Sequence, residues 1–240
     1  MINTWQNWNN LLDYIKLGFG ADVQQIEFDD NRIIEIIKNH VMPRFSRYVP
    51  LMRYYYLTEA ENLIQSDPSK IYEIKNFPYQ IIKVDKVISK ANYFDISQFY
   101  NVAINGQDIT DFLAGNNILQ SQSMVMADDT WRFFSPNRLE IIKGANTVQI
   151  SDDFILELLC VHDDPQTIDP DMYEYFRDLA LGEIMIYIAR IRSKFSNFNT
   201  PFGNVEVNAD QLKQEGEQLK NDIIQKLEHL PPDHYVYFIN

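Results

Sequence analysis

The residues best suited to chemistry in this sequence lie together at positions 162 to 164, directly after an apolar run. His162, Asp163 and Asp164 combine an imidazole with two carboxylates, groups that bind divalent cations or transfer protons. No second His or Cys lies at the spacing that metal sites use, so a turn with solvated carboxylates is the favoured interpretation. An enzyme built around these three residues is kept as an alternative.

Other candidate groups have simpler structural explanations. Asp29 and Asp30 could pair as acid and base, but capping of the helix that follows explains them without a reaction. Gly18-Phe19-Gly20 lacks the lysine of a phosphate-binding loop and the third glycine of a dinucleotide site. Cys160 is the only cysteine and lies in an apolar run, which predicts a buried, inert thiol. We therefore predict no catalytic residue, no metal site and no cofactor.

The charge of the chain argues against direct binding of nucleic acid. With 34 acidic and 21 basic residues among 240, the formal net charge is -13, whereas binding to DNA or RNA depends on Lys and Arg displacing counterions. The 14 Tyr, 15 Phe and 3 Trp suit buried cores and protein interfaces. The first residues lack the charged and apolar segments of a secretion signal, so we expect synthesis in a reducing cytosol without membrane insertion.

Two helices are predicted in residues 1 to 50. Trp5, Trp8, Leu12 and Ile15 repeat at helical spacing and are followed by Gly18 and Gly20, which predicts a first amphipathic helix. A second helix begins at Asp29 or Asp30, and Pro43 is expected to bend or stop it. Its apolar stripe consists of Ile33, Ile34, Ile37 and Val41.

Residues 51 to 165 change to short runs of β-branched and aromatic residues, the pattern of a mostly antiparallel sheet. The clearest hairpin joins 131–134 to 138–143 through Ser135-Pro136-Asn137. Residues 107–126 lack strand alternation and include a predicted short helix. The predicted strands are 53–57, 71–74, 80–88, 131–134, 139–143, 147–150 and 154–161.

Residues 166 to 240 are predicted to hold two helices and an extended tail. A long helix over 171–195 is apolar on all sides at 184–189, which requires burial all round. Asn208 with Gln211 has the pattern of a capping box that starts the last helix. The tail residues Tyr235, Val236, Tyr237, Phe238 and Ile239 are β-prone, and we expect them to add a strand to a sheet in this chain or a neighbouring one. The predicted fold class is α+β, organised as one compact unit that depends on assembly.

Two stretches resemble virion structural proteins of large contractile-tailed bacteriophages. The first is the hairpin over 130–142, and the second runs from the 171–195 helix into Thr200-Pro201-Phe202-Gly203. In such proteins a hairpin leads through a turn with His and Asp into a helix rich in Met, Tyr and Phe, a Thr-x-x-Gly loop and a final amphipathic helix. The resemblance covers residues 130 to 230.

The resemblance implies a non-enzymatic virion protein that forms a ring of identical copies at the neck, as a connector or adaptor. Its expected partners are portal, neck and tail proteins, with no membrane and no sequence-specific nucleic acid, although DNA passes through the ring. Two alternatives remain open: a tail or baseplate component, and a monomeric cytosolic module that binds other proteins through its aromatic clusters.

Overall fold

The computed structural model describes residues 5–19, 28–66, 69–89, 130–142, 153–195, 199–200, 203–204 and 208–230. The chain divides into two compact units, a helical unit made of Met1–Leu51 with Val161–Asn240 and a strand-rich unit made of Met52–Cys160. Helices together with antiparallel strands confirm the predicted α+β class. The helices are α1 (Trp8–Gly18), α2 (Asp30–Ile36), a π-helical turn (Ile37–Val41), α3 (Met42–Phe45), α4 (Glu59–Asn62), a 3-10 turn (Pro165–Thr167), α5 (Pro170–Phe195) and α6 (Ala209–Glu228).

The two predicted N-terminal helices are present, and each is capped by a polar side chain. Asn7 accepts from the backbone N–H of Asn10 at the start of α1, and Asp29 accepts from that of Arg32 at the start of α2. Of the two outcomes predicted for Pro43, a bend or a stop, the stop does not occur, because helical residues continue to Phe45. A π turn comes first, and Pro43 then occupies the first turn of α3, where no backbone N–H is needed.

Within the described ranges the strands form two larger sheets and a small hairpin, where we predicted a single sheet. The sheets have the orders β1–β7–β4 and β2–β3–β6–β5, and the hairpin is β8–β9. Every pair whose register is described is antiparallel. The strands are β1 (Leu51–Leu57), β2 (Leu63–Gln65), β3 (Lys70–Glu73), β4 (Ile81–Ser89), β5 (Thr130–Phe134), β6 (Arg138–Ile142), β7 (Phe154–Cys160), β8 (Asn199–Thr200) and β9 (Gly203–Asn204).

The predicted β5–β6 hairpin is present, and its register shows which face is buried. Trp131 pairs with Ile141 and Phe133 with Leu139, and both β6 partners are buried, whereas Trp131 on the edge strand β5 is 40% exposed. The intervening residues Arg132, Phe134, Arg138 and Ile142 therefore point to the other face, because side chains alternate along a strand.

The core of the helical unit forms around α5, which confirms the predicted central helix. Phe176, Ile184 and Ile188 are fully buried on it, and α6 packs along it through Ile223 and Leu227. The predicted capping box at the start of α6 is wrong. Asn208 makes no side-chain cap, and Gln211 instead donates to Glu215 on the exposed surface.

Several predictions fall outside the described residues. They are the short helix in 107–126, the strand at 147–150 and the tail Tyr235–Ile239.

Candidate functional site

The strongest sequence candidate for chemistry, His162, is a buried structural residue in the helical unit. Its backbone N–H donates to Ser46 Oγ at 3.0 Å, and its Nε2 lies 3.0 Å from the carbonyl oxygen of Val49. Its Nδ1 lies 2.8 Å from Thr167 Oγ1. The side chain is only 4% exposed. Because both ring nitrogens are engaged by the protein, the imidazole has neither the access nor the free lone pair that a metal ion needs.

The two neighbouring carboxylates do not converge with His162 on a common point. Asp164 caps the 3-10 turn by accepting from the backbone N–H of Gln166, and it also accepts from the indole N–H of Trp8 at 3.2 Å. Asp163 is exposed. Among the residues that the structure describes, no three His, Cys, Asp or Glu side chains are grouped so that they could hold a metal ion.

Cys160 ends β7 in the strand-rich unit, and its thiol is buried as predicted. Burial raises the pKa of Cys160 to about 12, an effect that the positive charge of Arg53 only partly offsets. The thiolate is the reactive form of cysteine, so this side chain is not a nucleophile near neutral pH.

The helical unit contains a cluster of Tyr14, Arg177 and Asp178 that sequence reasoning missed. The Tyr14 hydroxyl donates to Asp178 Oδ1 at 2.6 Å, and the Arg177 guanidinium lies 3.9 Å from the centre of the Tyr14 ring. Burial raises the pKa of Tyr14, and the hydrogen bond and negative charge of Asp178 add to the effect. A neutral tyrosine held this way joins α1 to α5.

Two glycines and a carboxylate fix α5 against α6. A Cβ added to Gly216 would lie 2.8 Å from the carbonyl oxygen of Gly182, so the helices touch backbone to backbone. Directly after Gly182, Glu183 is nearly buried and pairs with Lys220, one turn after Gly216, at 2.8 Å and with Arg44 at 3.2 Å. Glu183 therefore joins α3, α5 and α6. Isolated charges and glycines carry no periodic signal, which is why the sequence patterns did not reveal this contact.

Exposed large hydrophobic residues concentrate in the strand-rich unit. The three tyrosines on β1 alternate in exposure. Tyr54 and Tyr56 are exposed, whereas the hydroxyl of Tyr55 on the other face bonds to the backbone of Lys75. The described residues of this class are Trp5, Leu17, Tyr54, Tyr56, Ile64, Trp131, Phe134 and Ile142. Six of these eight belong to the strand-rich unit. Surface aromatics of this kind favour contacts with other proteins.

A family model described as bacteriophage ring protein matches residues 3–231 of the chain. The chain belongs to this family. It is a structural phage subunit of the ring-forming kind. The match also spans the first third of the chain, where sequence reasoning found no resemblance. No curated protein matches the chain. Within the described ranges, no helix combines the length and the apolar character that a membrane crossing needs.

Membership in a family of ring proteins directs attention to the surface of the subunit. Tyr14, Glu183 and their partners join one helix to another, and several large hydrophobic side chains are partly exposed. The surface that contacts other copies is therefore the functional site to look for in a ring protein.

Proposed function

We propose that this ring protein is a head-to-tail connector, whose ring lies between the portal and the tail of the phage particle. The observation that carries the proposal is the family match over residues 3–231. The resemblance of residues 130 to 230 to virion proteins of contractile-tailed phages supports a place at the neck. A ring built from copies of one chain needs two different contact surfaces on each copy, so that the contact repeats around an axis and closes.

The charge of the chain suits a channel through which DNA passes. With a net charge of -13 the channel wall would bind phosphate groups weakly, because affinity for DNA requires Lys and Arg that displace counterions. DNA would pass through such a ring without sequence-specific contacts. The same charge limits unspecific binding of the free subunit to nucleic acid before assembly.

We further propose that the subunit works without catalysis and without a cofactor. His162 is held on both ring nitrogens by the protein, and the Cys160 thiol is protonated near neutral pH. Glu183 and Asp178 each hold a partner on another helix. These groups stabilise the subunit that the ring repeats.

The test is the mass of the purified protein by light scattering, together with electron microscopy of any large species. The protein is then mixed with portal and tail proteins from the same genome, and antibody-labelled particles show its position. Rings at the portal junction would support the connector. Label at the distal end of the tail would instead assign the protein to the tail or baseplate, the alternative kept from the sequence. A monomer that joins no particle protein would favour a protein-binding module.

A further inference from the structure

The outward face of the β5–β6 hairpin joins two cations to two apolar side chains. We call it the arginine face and define it as Arg132, Phe134, Arg138 and Ile142. The register places all four on the side opposite to the buried Leu139. The Arg132 side chain is 67% exposed, and Phe134 and Ile142 are each 42% exposed.

The carboxylates beside these arginines lie deeper in the sheet. Glu140 is opposite Arg132 and forms a long ion pair with it at 4.0 Å, but the Glu140 side chain is only 17% exposed and also accepts from Ser69, whereas Arg132 stays 67% exposed. Glu73 is opposite Arg138 and receives the side-chain amide of Asn137. The groups that protrude furthest are therefore cationic and aromatic, on a chain whose net charge is -13.

The start of α5 in the helical unit has the complementary composition. Asp171 and Glu174 are both exposed and lie three residues apart, so they share one side of the helix. Trp5 is 46% exposed and packs edge-on against Tyr173, with 5.0 Å between ring centres. We call Asp171 and Glu174, together with Trp5 on the neighbouring Tyr173, the acidic face. It offers two carboxylates to arginines and an indole ring that favours a guanidinium partner.

We infer that the arginine face of one copy docks on the acidic face of the next copy in the ring. Two unlike surfaces on one chain give the heterologous contact from which rings are built. Opposite charges would set the register and speed association, and the exposed Phe134, Ile142 and Trp5 would supply the apolar area between copies. The inference rests on ring assembly, and it holds whichever junction of the particle the ring serves.

A charge-reversal experiment tests the contact. One variant carries Arg132→Glu with Arg138→Glu, and the other carries Asp171→Lys with Glu174→Lys. Each reversal places like charges in the contact, so we expect the concentration at half-assembly to rise by about tenfold or more for either variant alone. An equimolar mixture of the two variants should assemble, because every contact between unlike copies again joins opposite charges. Light scattering gives the mass, and circular dichroism confirms that each variant is folded.

Lys75→Glu with Lys83→Glu is the matched control. It makes the same change in net charge as the Arg132→Glu, Arg138→Glu variant, on exposed lysines of the strand-rich unit, and it should assemble like the native chain. Folded reversal variants that assemble as the control does would overturn the inference. The inference would also be overturned if the two variants, each folded and each unable to assemble alone, failed to assemble when mixed. A native chain that stays monomeric by itself would overturn it as well. Rings that form normally but lie at another place in the particle would contradict only the connector proposal.

Discussion

His162 joins three segments of the helical unit through one backbone group and one ring. Its N–H reaches Ser46, whose hydroxyl donates to the carbonyl of Met42 at 2.7 Å, and its ring reaches Val49 and Thr167. These contacts tie the end of α3 to the chain that leads into α5. An imidazole suits this place because one flat ring presents two nitrogens in opposite directions.

Replacing His162 should therefore lower stability. We expect His162→Ala to reduce the free energy of unfolding by about 2 to 4 kcal/mol, since it removes two ring contacts and leaves a buried polar group without its partner. Chemical denaturation monitored by circular dichroism measures the change. His229→Ala is the control, because that histidine is exposed at the end of α6. Equal stability of the two variants would show that the buried ring contacts contribute little.

Cys160 should react only after the protein unfolds. Burial raises its pKa from 9.0 to about 12, so at pH 8 the folded chain holds almost no thiolate. We expect slow labelling by a thiol reagent in native buffer and complete labelling in denaturant. The raised pKa also favours folding below pH 9, and this contribution should be lost as the pH rises from 9 towards 12. Fast native labelling would contradict the burial.

The pairing of α5 with α6 depends on glycine for a steric reason. Alanine normally stabilises a helix interior relative to glycine by about 1 kcal/mol. At Gly216 the added Cβ would instead lie 2.8 Å from the carbonyl of Gly182 and 2.9 Å from Met185 Cβ. The helices would have to separate, which would also disturb the ion pair between Lys220 and Glu183.

Gly216→Ala should therefore destabilise the protein although it raises helix propensity. We expect a loss of about 1 to 3 kcal/mol, in the range measured for overpacked cores. Gln218→Ala, on the exposed side of α6, is the control and should change stability by less than about 0.5 kcal/mol. Thermal unfolding of both variants shows whether Gly216→Ala raises or lowers the stability of the protein. A stabilised Gly216→Ala protein would mean that the two backbones are not in contact.

The elements that could be predicted from the sequence are those with a periodic signal. The apolar run 184–189 indicated the buried helix α5, and alternation with a turn indicated the β5–β6 hairpin. The short α4 and β2 were missed, since four and three residues are too few to show a period. Asn208 lies at the N-cap of α6 as the sequence indicates, but its side chain makes no capping hydrogen bond, because residue types alone do not fix the geometry of a cap. The arginine face needed the register of the hairpin, which only coordinates give.

At the scale of the whole molecule, folding and assembly should be separable. The folded subunit is held by the α5–α6 core, where Ile188 is fully buried. Ile188→Asp places a carboxylate among apolar neighbours, at a cost of several kcal/mol in order of magnitude. We expect this variant to lose the cooperative unfolding transition in calorimetry and, with it, the ability to assemble. A fully folded Ile188→Asp protein would show that the core does not depend on this helix.

Removal of Tyr235–Asn240 should have the opposite effect. The sequence of this tail predicts a strand, and we propose that Tyr235, Val236, Tyr237, Phe238 and Ile239 pair with a neighbouring copy. The truncated chain should keep the melting temperature of the monomer and assemble only at higher concentration, because on this proposal the tail pairs with another copy. Light scattering over a dilution series measures assembly, and calorimetry on the same samples measures folding. Unfolding of the truncated monomer would show that the tail packs within its own subunit. Unchanged assembly would show that the tail is not needed between copies, and the contact between the arginine face and the acidic face would then close the ring.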